Sequence, residues 1–246
     1  MSAEESRTEA LVAFDAEQLV ELAASALAGA IEEAVASRGV ARIALSGGST
    51  PGPVYARLAK LELPWARTEW FWVDERAVGP DSPRSNFRGA DEALGFALRG
   101  VPQEQVHRMQ GEAEDLEASA RAYEQALRAS FGEVELPRFD AVVLGVGDDG
   151  HTASLFPGLP TVHLQDRWVA AVPAQPERGL EPRLTLTTPV LRASRLCLVL
   201  CRGASKRSVV AAARTPGSLD NVPARLLLEA QGQVLWLLDG PAAGER

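Results

Sequence analysis

The stretch VARIALSGGSTPGPVYARLAKL, residues 40–61, carries the pattern from which the fold can be read. Six residues ending in Ile43, Ala44 and Leu45 form a short apolar run of strand length, and Gly47 and Gly48 break it. Ser49 or Thr50 suits the cap of a following helix, and Pro51 suits its first turn. Strand, glycine turn and helix therefore follow one another within about 20 residues. Upstream, residues 16–37 place Leu19, Ala23, Ala26, Leu27, Ala30, Ile31 and Ala34 at spacings of three and four, the period of one helical face. That helix is expected to fill the first 40 residues.

Downstream the alternation repeats. Residues 70–73 read as a strand, 86–98 contain a helix, 105–109 read as a weak strand, 115–131 as a helix and 139–144 as a strongly buried strand. Prolines at 157, 160, 173, 176, 182 and 189 exclude long helices from the next stretch, where short strands are expected at 168–172 and 184–186. Residues 196–200 then give a strand, 204–214 and 223–230 helices, and 234–238 a last strand. Strands alternating with helices predict an α/β fold: a mostly parallel, doubly wound sheet with helices on both faces.

The 246 residues are expected to form one domain over 1–246, since 46% are hydrophobic and supply a sizeable core. Thirty-three acidic residues against 25 Lys and Arg give a net charge of −8. That balance opposes nucleic acid and anionic membranes as partners, so an anionic ligand needs a local cluster of cations. Cys197 and Cys201 lie in one apolar run, where a strand would hold their α-carbons roughly 13 Å apart, too far for a disulfide. They read as buried thiols. The acidic start MSAEESRTEA lacks the basic and apolar regions of a signal peptide, and no apolar run approaches the ~18 residues of a membrane span. A cytoplasmic protein, monomeric or a small homo-oligomer, is expected.

In open parallel sheets ligands bind beyond the carboxyl ends of the strands, so the residues that follow each strand are the informative ones. Four strands end in polar loops: Ser46-Gly47-Gly48-Ser49-Thr50, Asp74-Glu75-Arg76, Gly145-Val146-Gly147-Asp148-Asp149-Gly150-His151, and Arg202-Gly203-Ala204-Ser205-Lys206. The first exposes backbone N–H groups at a helix start, which suits an anion. It lacks the Gly-Lys-Ser/Thr ending of a nucleotide loop, and Pro51 spoils a serine-hydrolase elbow around Ser49. The third matches Gly-x-Gly-x-x-Gly, but Asp148 and Asp149 would repel a pyrophosphate and Pro157 arrives too soon for the required helix. It presents instead two carboxylates and an imidazole suited to general-base work near neutral pH. No second histidine or thiolate stands at ligand spacing, so no metal is expected. Asp74-Glu75-Arg76 reads either as a solvated charge run or, at the end of the aromatic strand WFWVD, as part of the site. Arg183 and Lys206 are candidate phosphate counter-charges; Lys206 is one of only two lysines.

Taken together, LSGGSTP (45–51), WVDER (72–76), SNF (85–87), LGVGDDGHTASLFPG (144–158), PRLTLT (182–187) and GASK (203–206) resemble the 6-phosphogluconolactonase family, in that family's order. The resemblance implies a Rossmann-like sheet and hydrolysis of 6-phospho-D-glucono-1,5-lactone in the oxidative pentose phosphate pathway, with no cofactor. It implies that His151 is the general base, oriented by Asp149 or a backbone carbonyl, and that Arg76 or N–H groups of the glycine loop stabilise the oxyanion. The phosphate would sit among Gly47, Gly48, Ser49, Thr50, Arg183 and Lys206, with Asp74 and Asn86 on sugar hydroxyls. The related glucosamine-6-phosphate deaminases follow their histidine with Ile-Ala-Phe-Asn-Glu-Pro. Here Phe156 stands where that glutamate would be, and a phenyl ring cannot relay a proton. A sugar-phosphate-binding module without turnover is a third reading, but a first segment filled by one helix leaves no room for an effector region.

Overall fold

The computed structural model describes residues 8–245. In chain order the elements are β1 (Thr8–Ala13), α1 (Ala16–Arg38), β2 (Ala41–Leu45), α2 (Pro51–Leu58), β3 (Thr68–Trp72), β4 (Asp74–Arg76), α3 (Asn86–Leu94), α4 (Leu116–Phe131) and β5 (Ala141–Gly145). They continue with β6 (Val169–Val172), β7 (Arg183–Leu186), α5 (Thr188–Ala193), β8 (Leu196–Cys201), α6 (Arg207–Ala213), β9 (Gln233–Asp239) and α7 (Gly240–Ala243). A six-stranded sheet in the order β1-β9-β8-β5-β2-β3 is parallel throughout. All six residues of β8 and Ala141–Leu144 of β5 are buried, as expected for central strands covered on both faces.

The helix α1 forms where its period places it. Asp15 accepts the Gln18 N–H at 2.8 Å as its N-cap, and Gly39 ends it in the left-handed region at φ 81°. Its buried stripe is Leu19, Ala23, Ala24, Leu27, Ala28, Ile31 and Ala34, packed against the central strands.

Four expectations need correction. The first 40 residues hold a strand as well as the helix, because Thr8–Ala13 pairs in parallel with β9 at the sheet edge. Its half-exposed alternation lacks the continuous apolar run that marks the central strands. The reading of the chain's first seven residues lies outside the described ones. Residues 105–109 are not a strand; only Val106 bridges Trp70, with the His107 N–H donating to the Trp70 carbonyl at 2.8 Å. Residues 223–229 form a 3-10 helix after Pro223, and a 3-10 turn precedes α6. Finally, Asp74-Glu75-Arg76 is not a loop at a strand end but a short strand of its own, β4.

At Val73 the chain leaves one sheet for another. The Val73 N–H donates to Leu45 in the parallel sheet at 2.9 Å, while its carbonyl accepts the Leu186 N–H at 2.7 Å. Beyond it β4 joins a second, antiparallel sheet in the order β4-β7-β6, with Asp74 opposite Thr185 and Arg76 opposite Arg183. The strand β3 is thus both a sheet edge and the approach to this switch. Its Trp72 N–H and carbonyl are satisfied by the buried Tyr123 hydroxyl from α4, which accepts at 2.8 Å and donates at 3.1 Å. Tyr123→Phe leaves both backbone groups buried without partners and is expected to cost about 1–3 kcal/mol, measured by urea unfolding; an unchanged midpoint would show that the edge needs no such clamp.

Candidate active site

The loops that follow β2, β4, β5 and β8, with the start of β7, enclose one cleft of about 290 Å³. Its lining includes Gly47, Gly48, Ser49, Thr50, Asp74, Arg76, Asn86, His151, Arg183 and Lys206. The sequence singled out each of these; Asp149 stands behind His151, outside the lining. Within a chain of net charge −8, four cations and a single carboxylate, Asp74, line this cleft among the described residues. The arrangement focuses positive potential where the bulk charge is negative.

The imidazole is held by its own loop. Asp149 Oδ1 lies 2.6 Å from His151 Nδ1 and accepts the His151 N–H at 3.1 Å, while the Gly147 N–H donates to the His151 carbonyl at 2.9 Å. A Cβ on Gly147 would fall on the imidazole ring, so only glycine permits this turn. Burial opposes ionisation of Asp149, but the hydrogen bond and charge of His151 outweigh it and hold the carboxyl down to about 2. At neutral pH a carboxylate can only accept, so Nδ1 carries a hydrogen toward Asp149. Phe156 packs against the same ring at 4.6 Å, and the Arg183 guanidinium lies 5.4 Å from that phenyl. Asp148 turns the other way, 2.7 Å from Lys206 Nζ, whose ammonium lowers the Asp148 carboxyl. The two aspartates therefore serve different cations, and among the described residues no three acidic, His or Cys groups are set to hold a metal ion.

Asp74 and Glu75 are not a solvated charge run: they are 5% and 2% exposed. Successive strand residues face opposite ways, and the two carboxylates do different work. Asp74 accepts from Ser154 Oγ at 2.5 Å and from Asn86 Nδ2 at 3.1 Å, with Arg183 Nη1 at 3.8 Å. Glu75 gathers the start of α3: it accepts the Arg76 and Asn86 N–H groups on Oε1 (2.8 and 2.7 Å) and the Ser85 hydroxyl and Phe87 N–H on Oε2 (2.9 and 2.8 Å). Burial pushes its carboxyl up, and the four donors pull it back. Asn86 Nδ2 also donates to the Asp74 carbonyl at 2.9 Å, which turns Oδ1 toward Gly47, where a Cβ would overlap it.

One expectation about the glycine loop shifts. Neither Ser49 nor Thr50 caps α2: Thr50 holds the N-cap position in helical conformation with no side-chain bond, so the helix start is uncapped at the cleft rim. The loop is fixed from behind by the buried Tyr55 hydroxyl, which accepts the Ser46 N–H at 3.1 Å and donates to its carbonyl at 2.8 Å. Residues that sequence reading did not assign are Glu75, Ala153, Ser154 and Arg202. Ala153 lines the cleft at φ +49°, a strained value for alanine, held by the Thr152–Gly145 and Ser154–Asp74 bonds on either side. Arg202 had a visible signal, since it is the first residue after a buried strand.

An open parallel sheet with a cation-lined cleft and a carboxylate-held imidazole at its carboxyl ends is an arrangement suited to acid–base chemistry on a small anionic substrate. The family described as glucosamine-6-phosphate isomerases/6-phosphogluconolactonase matches residues 14–236. The chain is 40% identical over 228 residues to 6-phosphogluconolactonase of Synechocystis sp., covering 91% of this chain and 92% of that protein. It is 39% identical over 238 residues to the Mycobacterium tuberculosis 6-phosphogluconolactonase, covering 94% and 95%. Among solved structures it resembles 6-phosphogluconolactonase from Trypanosoma cruzi (TM-score 0.85, 29% identity, 96% of each chain). It also resembles a monomeric glucosamine-6-phosphate deaminase (TM-score 0.79, 25% identity, 97% and 100%). The chain belongs to the glucosamine-6-phosphate isomerase/6-phosphogluconolactonase family.

Two outcomes test this geometry. In Glu75→Gln the amide NH2 must face N–H or hydroxyl donors, so thermal stability should fall and the KM for substrate should rise several-fold; wild-type values for both would dismiss the clamp. Asp149 has a folded pKa below its ordinary value near 3.8, so its contribution to stability is complete above about pH 4 and is lost as pH falls toward 2. Asp149→Asn should therefore lower the melting temperature at pH 7, with the gap to wild type closing on acidification, and should lower kcat at least about tenfold through loss of the fixed tautomer. A gap that persists at acid pH would mean that the loss is one of packing.

Proposed function

We propose that this chain hydrolyses 6-phospho-D-glucono-1,5-lactone to 6-phospho-D-gluconate, the lactonase step of the oxidative pentose phosphate pathway. The observation that carries the proposal is the 2.6 Å contact between Asp149 and His151 Nδ1, which leaves Nε2 as a base at a cleft lined with cations. His151 Nε2 takes a proton from water as the water oxygen attacks the lactone carbonyl. Arg76 or the backbone N–H groups of the glycine loop meet the oxyanion. The tetrahedral intermediate collapses by breaking the bond to the ring oxygen, which takes the proton back from the imidazolium. A lactone is an activated ester, so the residues need neither a covalent intermediate nor a cofactor for this sequence. Gly47, Gly48, Ser49, Thr50, Arg183 and Lys206 receive the phosphate, and Asp74 and Asn86 the sugar hydroxyls; the uncapped α2 start and the orphaned Asn86 Oδ1 support those roles.

Phe156 favours this reading over deamination. It packs on His151 at 4.6 Å, in the stretch where the deaminases carry a glutamate, and surrounds the imidazole with a group that cannot pass a proton. We further infer that residues 1–246 act as one domain in the cytoplasm, as a monomer or small homo-oligomer and without a nucleic-acid or membrane partner. Pairing of β1 with β9 across nearly the whole chain, the net charge of −8 and the lack of any described helix long and apolar enough to cross a membrane support this.

The test is hydrolysis of freshly generated lactone, followed by acid release above the spontaneous rate, with glucosamine 6-phosphate deamination run beside it. Lactone turnover without ammonia is expected, and His151→Ala should lower it at least about 100-fold. Ammonia release would overturn the Phe156 argument, and undiminished turnover in the variant would remove His151 from the mechanism.

A further inference from the structure

Among the described residues eleven buried polar side-chain atoms lack a hydrogen-bond partner, and four of these belong to residues lining the cleft: Arg76 Nε, Asn86 Oδ1, Arg183 Nε and Arg202 Nε. An orphaned buried polar atom, donor or acceptor, costs stability, so a group of them around one cavity marks places where a ligand completes the bonding. Three of the four residues were already assigned to the site. Arg202 shares their condition and their cavity.

The cations of the cleft differ in how far the protein already neutralises them. Lys206 Nζ lies 2.7 Å from Asp148 Oδ1, and Arg183 Nη1 lies 3.8 Å from Asp74 Oδ2. Arg76 is tied by Nη1 to the Arg84 carbonyl at 2.5 Å. Arg202 makes no ion pair and donates no side-chain hydrogen bond among the described residues. Its backbone is nevertheless fixed: it follows β8 directly, and the next residue, Gly203 at φ +94°, donates its N–H to both Asp239 carboxylate oxygens at 3.0 Å. The guanidinium is therefore a charge on an anchored stem with no protein partner. Because β8, β5 and β2 are neighbours in that order, Arg202 stands across the β5 loop from Gly48, Ser49 and the uncapped start of α2.

We propose that Arg202 is a phosphate ligand of this site, its planar fork reaching the phosphoryl group that the glycine loop holds from the other side. Lys206 shares its charge with Asp148, and Arg202 supplies the uncompensated cation on that rim. The assignment makes Arg202 a specificity-determining residue, separating phosphorylated from unphosphorylated lactones. It rests on reading the cleft as the phospholactone site.

Inorganic phosphate titrated by calorimetry into the full chain, wild type against Arg202→Gln, tests the ligand without turnover. The Kd is expected to rise about tenfold or more in Arg202→Gln, with Arg202→Lys between the two because it keeps the charge but not the fork. In turnover, KM for the phosphorylated lactone should rise by a similar factor with a smaller change in kcat. The selectivity for phosphorylated over unphosphorylated glucono-1,5-lactone, as a ratio of kcat/KM values, should fall in proportion. A wild type that does not bind inorganic phosphate, or an Arg202→Gln variant with wild-type Kd and a wild-type melting temperature, overturns the proposal. Phosphate binding that depends on Arg202 in a protein without lactone turnover upholds this assignment while removing the lactonase reading.

Discussion

The site depends on one buried carboxylate that never meets the cleft. Glu75 accepts from three backbone N–H groups and the Ser85 hydroxyl, and in doing so it ties the three-residue strand β4 to the beginning of α3. Ser85 in turn accepts the Arg88 N–H at 3.1 Å, so the first donors of α3 are consumed by the protein itself. The side chains of Arg76 and Asn86, one at each end of the clamp, both line the cleft. The short hop at Val73 between parallel and antiparallel sheets supplies the room for the arrangement, since an uninterrupted strand would carry Asp74 and Arg76 away from the carboxyl ends of its neighbours.

Electrostatics then divide the molecule into a negative body and a positive hollow. Arg76 and Arg183 face one another across β4 and β7, a like-charge cross-strand pair of the kind that opposes folding. Burial lowers the pKa of Arg183, Asp74 opposes that, and Arg76 adds to it. A second, anionic charge in the cleft relieves all of these at once. The same logic covers the orphaned polar atoms of Arg76, Asn86, Arg183 and Arg202 and the left-handed Ala153: the fold carries local costs at the cleft and offsets them with its buried apolar core.

The loop after β5 shows how a motif that looks like a nucleotide fingerprint serves another end. In Gly-Val-Gly-Asp-Asp-Gly-His the glycines make room for a ring rather than a pyrophosphate, because Gly147 lies under His151. The consecutive aspartates part, one to the imidazole and one to Lys206, so adjacent residues link the loop after β5 to the cation that follows β8.

Much of this was legible without coordinates. Periodicity in residues 16–37, the apolar runs of β2, β5 and β8 and the glycines after them determine an α/β sheet with polar loops at one end, because strand burial and helix amphipathicity are local properties of sequence. The residue types of the site followed from those loops. What only the tertiary structure decided is pairing. That Thr8–Ala13 is a strand depends on β9 more than 200 residues away, and its own half-polar pattern does not demand it. That Asp74 and Glu75 are buried, that Arg76 meets Arg183, and that Lys206 is compensated while Arg202 is not are relations between distant residues. They depend on which charges the fold brings within a few ångströms, a quantity that sequence spacing does not contain.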